Sequence, residues 1–458
     1  MIENDAFKLL LINLFHLNPD DIANIFCTTF NKMMVLIVTL ADKHQACPYC
    51  GFTAPKIKEY VTKEITHSAL TTQKCIIKYR ARRYKCPCCG KTYYEFNPFV
   101  FKSQKISILT VHNILKDLKD FNETFTSVAR RYHVSPTSVS TIFDNHVDIG
   151  RNPLPEIINF DEVYAFKSEK SKYVCVLLDF KKQIPVDVLP NRKKEYLLNY
   201  FQKIPLEERK KVKYACSDMY EVYRDVVHKV FPCSCMLLDY FHLSQDFHRK
   251  MNEVRIKVMK GYKDNKASDE YYLLKKFNWL LFKNPEDEDK YGRLFDVERE
   301  RKYNSHFKSY MNYYDLRKKI LEINNDLTIC YSLKLELVDF YSKSTIDNAQ
   351  VNLEHLIRSC IDTNIEEMIA FSNNLINWKQ EIINSFTIVG TEYKVEADKG
   401  QVVVCNKKVN NAIIENRNKI IKCIKNNANG YTNWSRFRNR VMYVLDPNTT
   451  FSLEPREK

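Results

Sequence analysis

Two cysteine pairs, Cys47-Pro-Tyr-Cys50-Gly51 and Cys86-Pro-Cys88-Cys89-Gly90, constrain this chain more than any other feature. Cys-x-x-Cys presents two thiolates to one metal ion, and two such pairs complete a tetrahedral zinc site. The glycine after each pair lets the backbone turn so that N–H groups face the sulfurs. One structural Zn²⁺ on Cys47, Cys50, Cys86 and Cys89 is therefore expected, with Cys88 as a spare thiol able to compete. Ordinary buried thiols are the plainer alternative, because free cysteine is among the most buried residue types. A redox motif is weaker, since it is expected once and beside a βαβ pattern. The rest of the fifteen cysteines are scattered singly. With no secretory signal read, that pattern suits a reducing cytoplasm. The apolar run Met33 to Leu40 is too short to span a bilayer, so no membrane partner is expected.

The formal net charge is +15, which suggests a polyanionic partner. The excess is local: residues 47–105 hold twelve Lys and Arg against three Glu, interleaved with Tyr60, Tyr79, Tyr84, Tyr93 and Tyr94. Arg80, Arg82 and Arg83 are the candidate DNA contacts there, since cations with aromatics suit phosphate and stacking contacts. A solvated face on a small zinc domain is the bland alternative.

Residues 1–30 read as a helical lead-in, with Phe7, Leu10, Leu11 and Leu14 at helical spacing and a second short helix opened by Pro19. Met33 to Leu40 and Ile76 to Tyr84 read as strands entering the two knuckles, a zinc-ribbon plan. Phe125 to Ile142 has helix-turn-helix spacing, with Val128, Ala129, Tyr132, Val134, Val139 and Ile142 as core, Ser135 as N-cap and Pro136 at the first helical position. Its second helix would offer Thr137, Ser138, Ser140, Thr141 and Asn145 to a major groove. His133 stands where such turns commonly carry Gly, and a plain helical hairpin is the alternative.

Beyond Pro153 and Pro155 the pattern becomes α/β. Strands at 157–161, 173–179 and 186–189, a helix at 196–204, a strand at 212–218, a helix at 220–230 and a strand at 235–239 follow the RNase H-like order. Residues 243–385 read as long, charged and helical, 386–405 as a β excursion, and 410–427 as a helix ended near Gly430.

Asp161 and Asp218 lie at the ends of strands that this order makes neighbours, and catalytic groups gather at the carboxyl ends of such strands. Two carboxylates there suit a hard cation such as Mg²⁺. One aspartate at such an edge is ordinarily a turn or cap residue. Glu415 is the candidate third carboxylate, in a polar stripe of Asn411, Glu415, Asn418 and Lys422. From composition, an ordinary polar surface helix is an equal reading of that stripe.

These segments in this order resemble the ISL-three group of DDE transposases from bacterial insertion sequences. The matching residues are the two cysteine knuckles; Asp161-Glu162; Ser217-Asp218-Met219 with Tyr220 and Tyr223; Asp239-Tyr240-Phe241-His242; Asn411, Glu415, Asn418 and Lys422; and Gly430-Tyr431 through Arg440. The resemblance implies a multidomain α/β protein. Its parts would be a zinc-ribbon DNA-binding domain (1–105), a helix-turn-helix domain (106–152), an RNase H-like core (153–242 and 406–446) interrupted by a helical insertion (243–405), and a tail (447–458). It further implies Asp161, Asp218 and Glu415 as a catalytic triad holding two Mg²⁺, with Mn²⁺ as a substitute. Asp239 and His242 would form a secondary motif, structural or facing DNA rather than binding metal, with a satisfied core histidine as the plainer reading.

The implied activity is cleavage and transfer of DNA strands. The implied partners are double-stranded DNA, both terminal inverted repeats and target, and a second copy or larger synaptic assembly in the bacterial nucleoid. The helical insertion and a Lys/Arg-rich C-terminal helix, with Lys419 and Lys422, would clamp DNA ends. Three departures stand out: the stretch Tyr164 to Lys172 after the first Asp; Val409, Asn410 and Asn416 beside the last Glu; and the β excursion. A non-catalytic DNA-binding regulator is the competing class, and an RNA-processing nuclease of the same fold a third.

Overall fold

The computed structural model describes residues 2–43, 45–68, 72–101, 104–166, 171–395 and 402–456. Residues 167–170 of the basic stretch and 396–401 of the β excursion lie outside the described residues.

The N-terminal module opens with α1 (Ile2–Leu14) and continues with β1 (Ile22–Phe30), β2 (Met33–Leu40), β3 (Lys56–Thr66), β4 (Cys75–Lys85) and β5 (Thr92–Tyr94). One sheet runs β1-β2-β4-β3, with β5 on β4. The helical lead-in expected for residues 1–30 is corrected here. Pro19–Asp21 is a single 3₁₀ turn capped by Asn18, and the β-branched and aromatic run from Ile22 to Phe30 is a strand. Asn31 and Lys32, at φ 50° and 60°, turn it directly into β2, a two-residue hairpin that needs positive φ at both positions.

Three short helices follow: α2 (Ile108–Asp117), α3 (Phe125–Arg131) and α4 (Pro136–His146). The Ser135 side chain accepts from the backbone N–H of Ser138, and Pro136 opens α4. His133 has φ 55°, so it holds the left-handed conformation that Gly supplies elsewhere. Val128, Ala129, Tyr132, Val139 and Ile142 are buried together as expected.

The next sheet contains β6 (Ile157–Val163), β7 (Val174–Asp179), β8 (Pro185–Leu189), β9 (Tyr214–Ser217) and β10 (Cys235–Leu238), with α5 (Lys194–Gln202), α6 (Leu206–Arg209) and α7 (Glu221–Val230) in the connections. Its order is β10-β9-β6-β7-β8. The β6–β9 and β9–β10 pairs are parallel, and β6–β7 and β7–β8 antiparallel. Leu197 and Phe201 of α5 and Val226 and Val227 of α7 cover one face.

A helical body then leaves the end of β10: α8 (Tyr240–Lys260), α9 (Asp269–Lys276), α10 (Tyr313–Glu322), α11 (Asn325–Lys343), α12 (Ala349–Asp362), α13 (Glu366–Asn377) and α14 (Lys379–Asn384). It has its own core, in which Phe247, Leu274, Ile320, Leu356 and Phe371 are fully buried. Two small hairpins interrupt the stretch read as helical, β11 (Glu288–Asp289) with β12 (Gly292–Arg293) and β13 (Lys302–Asn304) with β14 (Ser309–Met311). The expected β excursion is the antiparallel hairpin of β15 (Ile388–Val395) and β16 (Val402–Lys408).

The chain returns to the sheet through α15 (Ala412–Asn427) and α16 (Trp434–Leu445). Ile414, Ile421, Ile424, Phe437 and Val441 cover the face opposite α5 and α7. α16 also reaches the three-helix module, where the Tyr443 hydroxyl donates to the Leu115 carbonyl at 3.0 Å. Arg436 pairs with Asp144 at 2.6 Å, Arg438 pairs with Asp187 at 2.7 Å, and Arg440, 1% exposed, donates to the Asp120 and Glu123 carbonyls at 2.8 Å. A helix packed on two sides spends its cations inside the protein.

Candidate active site

Asp161 sits within β6, opposite Val176 of β7, and not at the strand end where the sequence placed it. Asp218 immediately follows β9, the parallel neighbour of β6, where Asn159 faces Cys216. Glu415 lies in the first turn of α15, and Asp239 is the residue before α8. Four elements distant in sequence therefore deliver carboxylates to one place. The Asp161 carboxylate accepts from the Glu162 N–H at 2.7 Å and from the Asn418 Nδ2 at 2.7 Å, which fixes both of its oxygens. Burial, then the charges of Asp218 and Glu415, push the Asp161 carboxyl from the usual 3.8 up to about 7. Burial raises Asp218, against the opposing pull of His242 and Arg192. Burial likewise raises Asp239, opposed by His242 and by the Asn411 N–H.

Asparagines brace the cluster from behind. Asn159 Nδ2 donates to Asn411 Oδ1 at 2.7 Å and to the Asn410 carbonyl at 2.8 Å. The stripe Asn411, Glu415, Asn418 is thus turned toward the sheet: Asn411 is 0% and Asn418 5% exposed, which decides against the surface-helix reading. Beside the carboxylates, Glu162 pairs with Arg192 and accepts from the Tyr223 hydroxyl at 3.3 Å. The Arg192 guanidinium lies over the rings of Tyr173 and Tyr220 at 4.6 and 5.0 Å. Sequence reasoning missed Asn159 and Arg192. Asn159 was signalled by a polar residue in an otherwise apolar strand; Arg192 had no local signal.

The cysteines form a separate centre. Cys47 and Cys89 Sγ are 3.7 Å apart and Cys50 and Cys86 Sγ 3.5 Å, and all four ligand atoms lie within 4.8 Å of one another. Thiolates at tetrahedral positions around Zn²⁺ are roughly 3.8 Å apart, so the quartet fits that ion. Gly51 and Gly90, at φ 75° and 72°, close two equivalent knuckles through N–H donation to the Cys47 and Cys86 carbonyls at 2.9 Å. Cys88 is exposed and outside the quartet.

A family model for transposases, of the DDE type and ISL-three group, matches residues 158–397, just over half of the chain. The chain belongs to this transposase family. It is also 19% identical to the transposase for insertion sequence element IS1001 of Bordetella parapertussis, over 408 residues that make up 89% of this chain and 90% of that one. DDE transposases act on DNA and use divalent metal. The family match ends before Glu415, so that residue rests on its geometry.

The transposase offers fewer of the expected DNA contacts than its sequence suggested. On α4, Thr137 and Thr141 are exposed, and Ser138 and Asn145 are half-buried. Ser140 is corrected: it is buried and its hydroxyl donates to the Thr137 carbonyl at 3.0 Å. In the N-terminal module Arg80 is exposed, over the Tyr60 ring at 4.9 Å. Arg82 is also corrected, since it pairs with buried Glu95 at 2.8 Å and donates to the Leu40 and Ala41 carbonyls. Arg83 pairs with Glu59 at 2.8 Å. Lys419 and Lys422 are exposed on α15. Among the described residues, no helix is long and apolar enough to cross a membrane.

Proposed function

We propose that this transposase binds the terminal inverted repeats of an insertion sequence and cleaves and joins DNA strands at a divalent-cation site held by Asp161, Asp218 and Glu415. The observation that carries the reading is the convergence of these carboxylates from β6, β9 and α15, where burial, and then the charges of Asp218 and Glu415, raise Asp161 to about 7. Buried anions at such density call for a compensating cation. The fit is supported by Asp218 Oδ1, which is buried without a hydrogen-bond partner, and by an oxygen-rich donor set of the kind that suits Mg²⁺ or Mn²⁺. A divalent cation there supplies charge neutralisation at the phosphate and a lower pKa for the attacking water or 3′-hydroxyl.

The chain's own contribution is position. Glu162 N–H and Asn418 hold Asp161 in one rotamer, Asn411 and Asn159 hold the start of α15 against β6, and Glu415, with its side chain 35% exposed, marks the side open to DNA. The strand order supports an RNase H-like core, interrupted by the helical body and resumed by α15 and α16. Zn²⁺ on the four cysteines has a structural role. The zinc module and the helix-turn-helix, through Thr137, Thr141 and Arg80, read the element ends, in a dimer or larger synaptic assembly.

The test is excision of a marked element from a plasmid in cells expressing the transposase. The wild type excises the element, whereas Asp218→Ala does not, although it still shifts end-containing DNA on a gel. Absence of excision by the wild type, or equal excision by Asp218→Ala, removes the proposal.

A further inference from the structure

We infer that His242 is a ligand of the catalytic cation, together with Asp239 and Glu415, so that the site has one nitrogen donor among its carboxylates. The inference rests on the divalent-cation reading above and deepens it. His242 Nε2 lies 3.8 Å from Asp239 Oδ2 and 4.0 Å from Glu415 Oε1, and one ligand atom from each of the three residues falls within 4.8 Å of the others. These separations are too long for hydrogen bonds, which close to about 2.7–3.2 Å. They suit three donors that share an ion at about 2–2.2 Å from each, with modest side-chain rotation.

Three atoms around this spot lack partners. His242 Nε2 and Asp218 Oδ1 are buried with no hydrogen bond, and so is Oδ1 of Asn418, a residue 5% exposed whose Nδ2 is fixed on Asp161. An imidazole that served only to neutralise Asp239 would close onto it; this one stands between two carboxylates and bonds to neither. Asp239 is held in turn by the Asn411 N–H at 3.4 Å, which ties the motif before α8 to the helix that carries Glu415. A nitrogen donor shifts preference from Mg²⁺ toward Mn²⁺ and its softer neighbours, so Mn²⁺ binds more tightly than Mg²⁺ here.

The experiment is pulsed electron paramagnetic resonance of Mn²⁺ bound to the zinc-loaded, full-length transposase. The wild type shows ¹⁴N modulation from one imidazole nitrogen, replaced by the ¹⁵N pattern when the protein is grown with ¹⁵N-histidine; this needs no substitution and leaves the fold untouched. His242→Gln loses the modulation while retaining bound Mn²⁺. Mn²⁺ bound without nitrogen modulation, or modulation that survives in His242→Gln, overturns the inference and leaves the carboxylate site standing. Mn²⁺ binding that is absent, or indifferent to Asp161→Asn, overturns the carboxylate reading and this inference with it.

Discussion

Replacing Asp161 by Asn removes the charge that costs the metal-free fold most. The Asp161 carboxyl is raised from 3.8 to about 7 by burial and by Asp218 and Glu415. A folded-state pKa above the unfolded value means that the folded protein holds the proton more tightly. The contribution of this carboxyl to stability is therefore greatest below about pH 4 and falls as pH rises toward 7. A shift of about three units corresponds to a ceiling of about 4 kcal/mol at pH 8. Asn forfeits part of that gain, because Glu162 N–H and Asn418 Nδ2 both donate to Asp161 and an amide can accept only one of them, a loss of about 1 kcal/mol. The metal-free Asp161→Asn protein is thus expected to be about 2–3 kcal/mol more stable than wild type at pH 8, with the difference shrinking toward zero near pH 4. Paired denaturant melts of the two proteins at each pH measure this, and effects common to both cancel. Mn²⁺ raises the wild-type midpoint more than the variant's. An Asn variant less stable at pH 8, or a difference that does not change with pH, refutes the reasoning that burial and neighbouring carboxylates together disfavour the Asp161 charge.

Other outcomes follow from the same structure. Cys50→Ser lowers zinc content from one equivalent per chain and unfolds the knuckles, as a structural zinc site requires, whereas Cys88→Ser keeps the metal; atomic absorption on the purified proteins distinguishes them. Thr137→Ala or Thr141→Ala weakens binding to element ends by about 1–3 kcal/mol if each touches a base edge, while Ser140→Ala leaves binding unchanged, as competition gel shifts check. Lys422→Ala reduces the salt dependence of binding by about one unit of slope, and Arg438→Ala, whose guanidinium is spent on Asp187, lowers thermal stability instead. His67 is buried between Ser107 Oγ at 2.9 Å and the Phe15 carbonyl at 2.8 Å, and burial holds its pKa below 6.5. Its contribution is complete above about pH 6.5 and is lost as pH falls, so His67→Gln flattens the acid side of the stability profile of the N-terminal module.

Local signals made part of this molecule legible. The knuckles, the Ser135-Pro136 cap and the strand order from Ile157 to Leu238 each depend on neighbours in sequence, and each stands where its pattern put it. The strand Ile22–Phe30 was missed because the apolar spacing of the helix before it was carried past Pro19. Charge was the poorest guide. Arg82 read as a DNA contact, yet its guanidinium is spent on Glu95 and on the Leu40 and Ala41 carbonyls, which other segments bring to it. The three candidate carboxylates were picked out by strand pattern and family resemblance, but the approach of His242 to Glu415 requires α8 and α15 to meet, and no spacing in the chain encodes that.

The most direct test is cleavage of a labelled DNA duplex carrying the element end, with purified zinc-loaded transposase and Mg²⁺ or Mn²⁺. The expected result is a nick at the element boundary that leaves a 3′-hydroxyl, is abolished by chelation of the divalent cation, and is absent in Asp161→Asn, Asp218→Asn and Glu415→Gln although each still binds the end. Cleavage that persists in any one of the three, or a wild-type protein that binds the end and never cuts it, contradicts the assignment of these carboxylates as the catalytic centre.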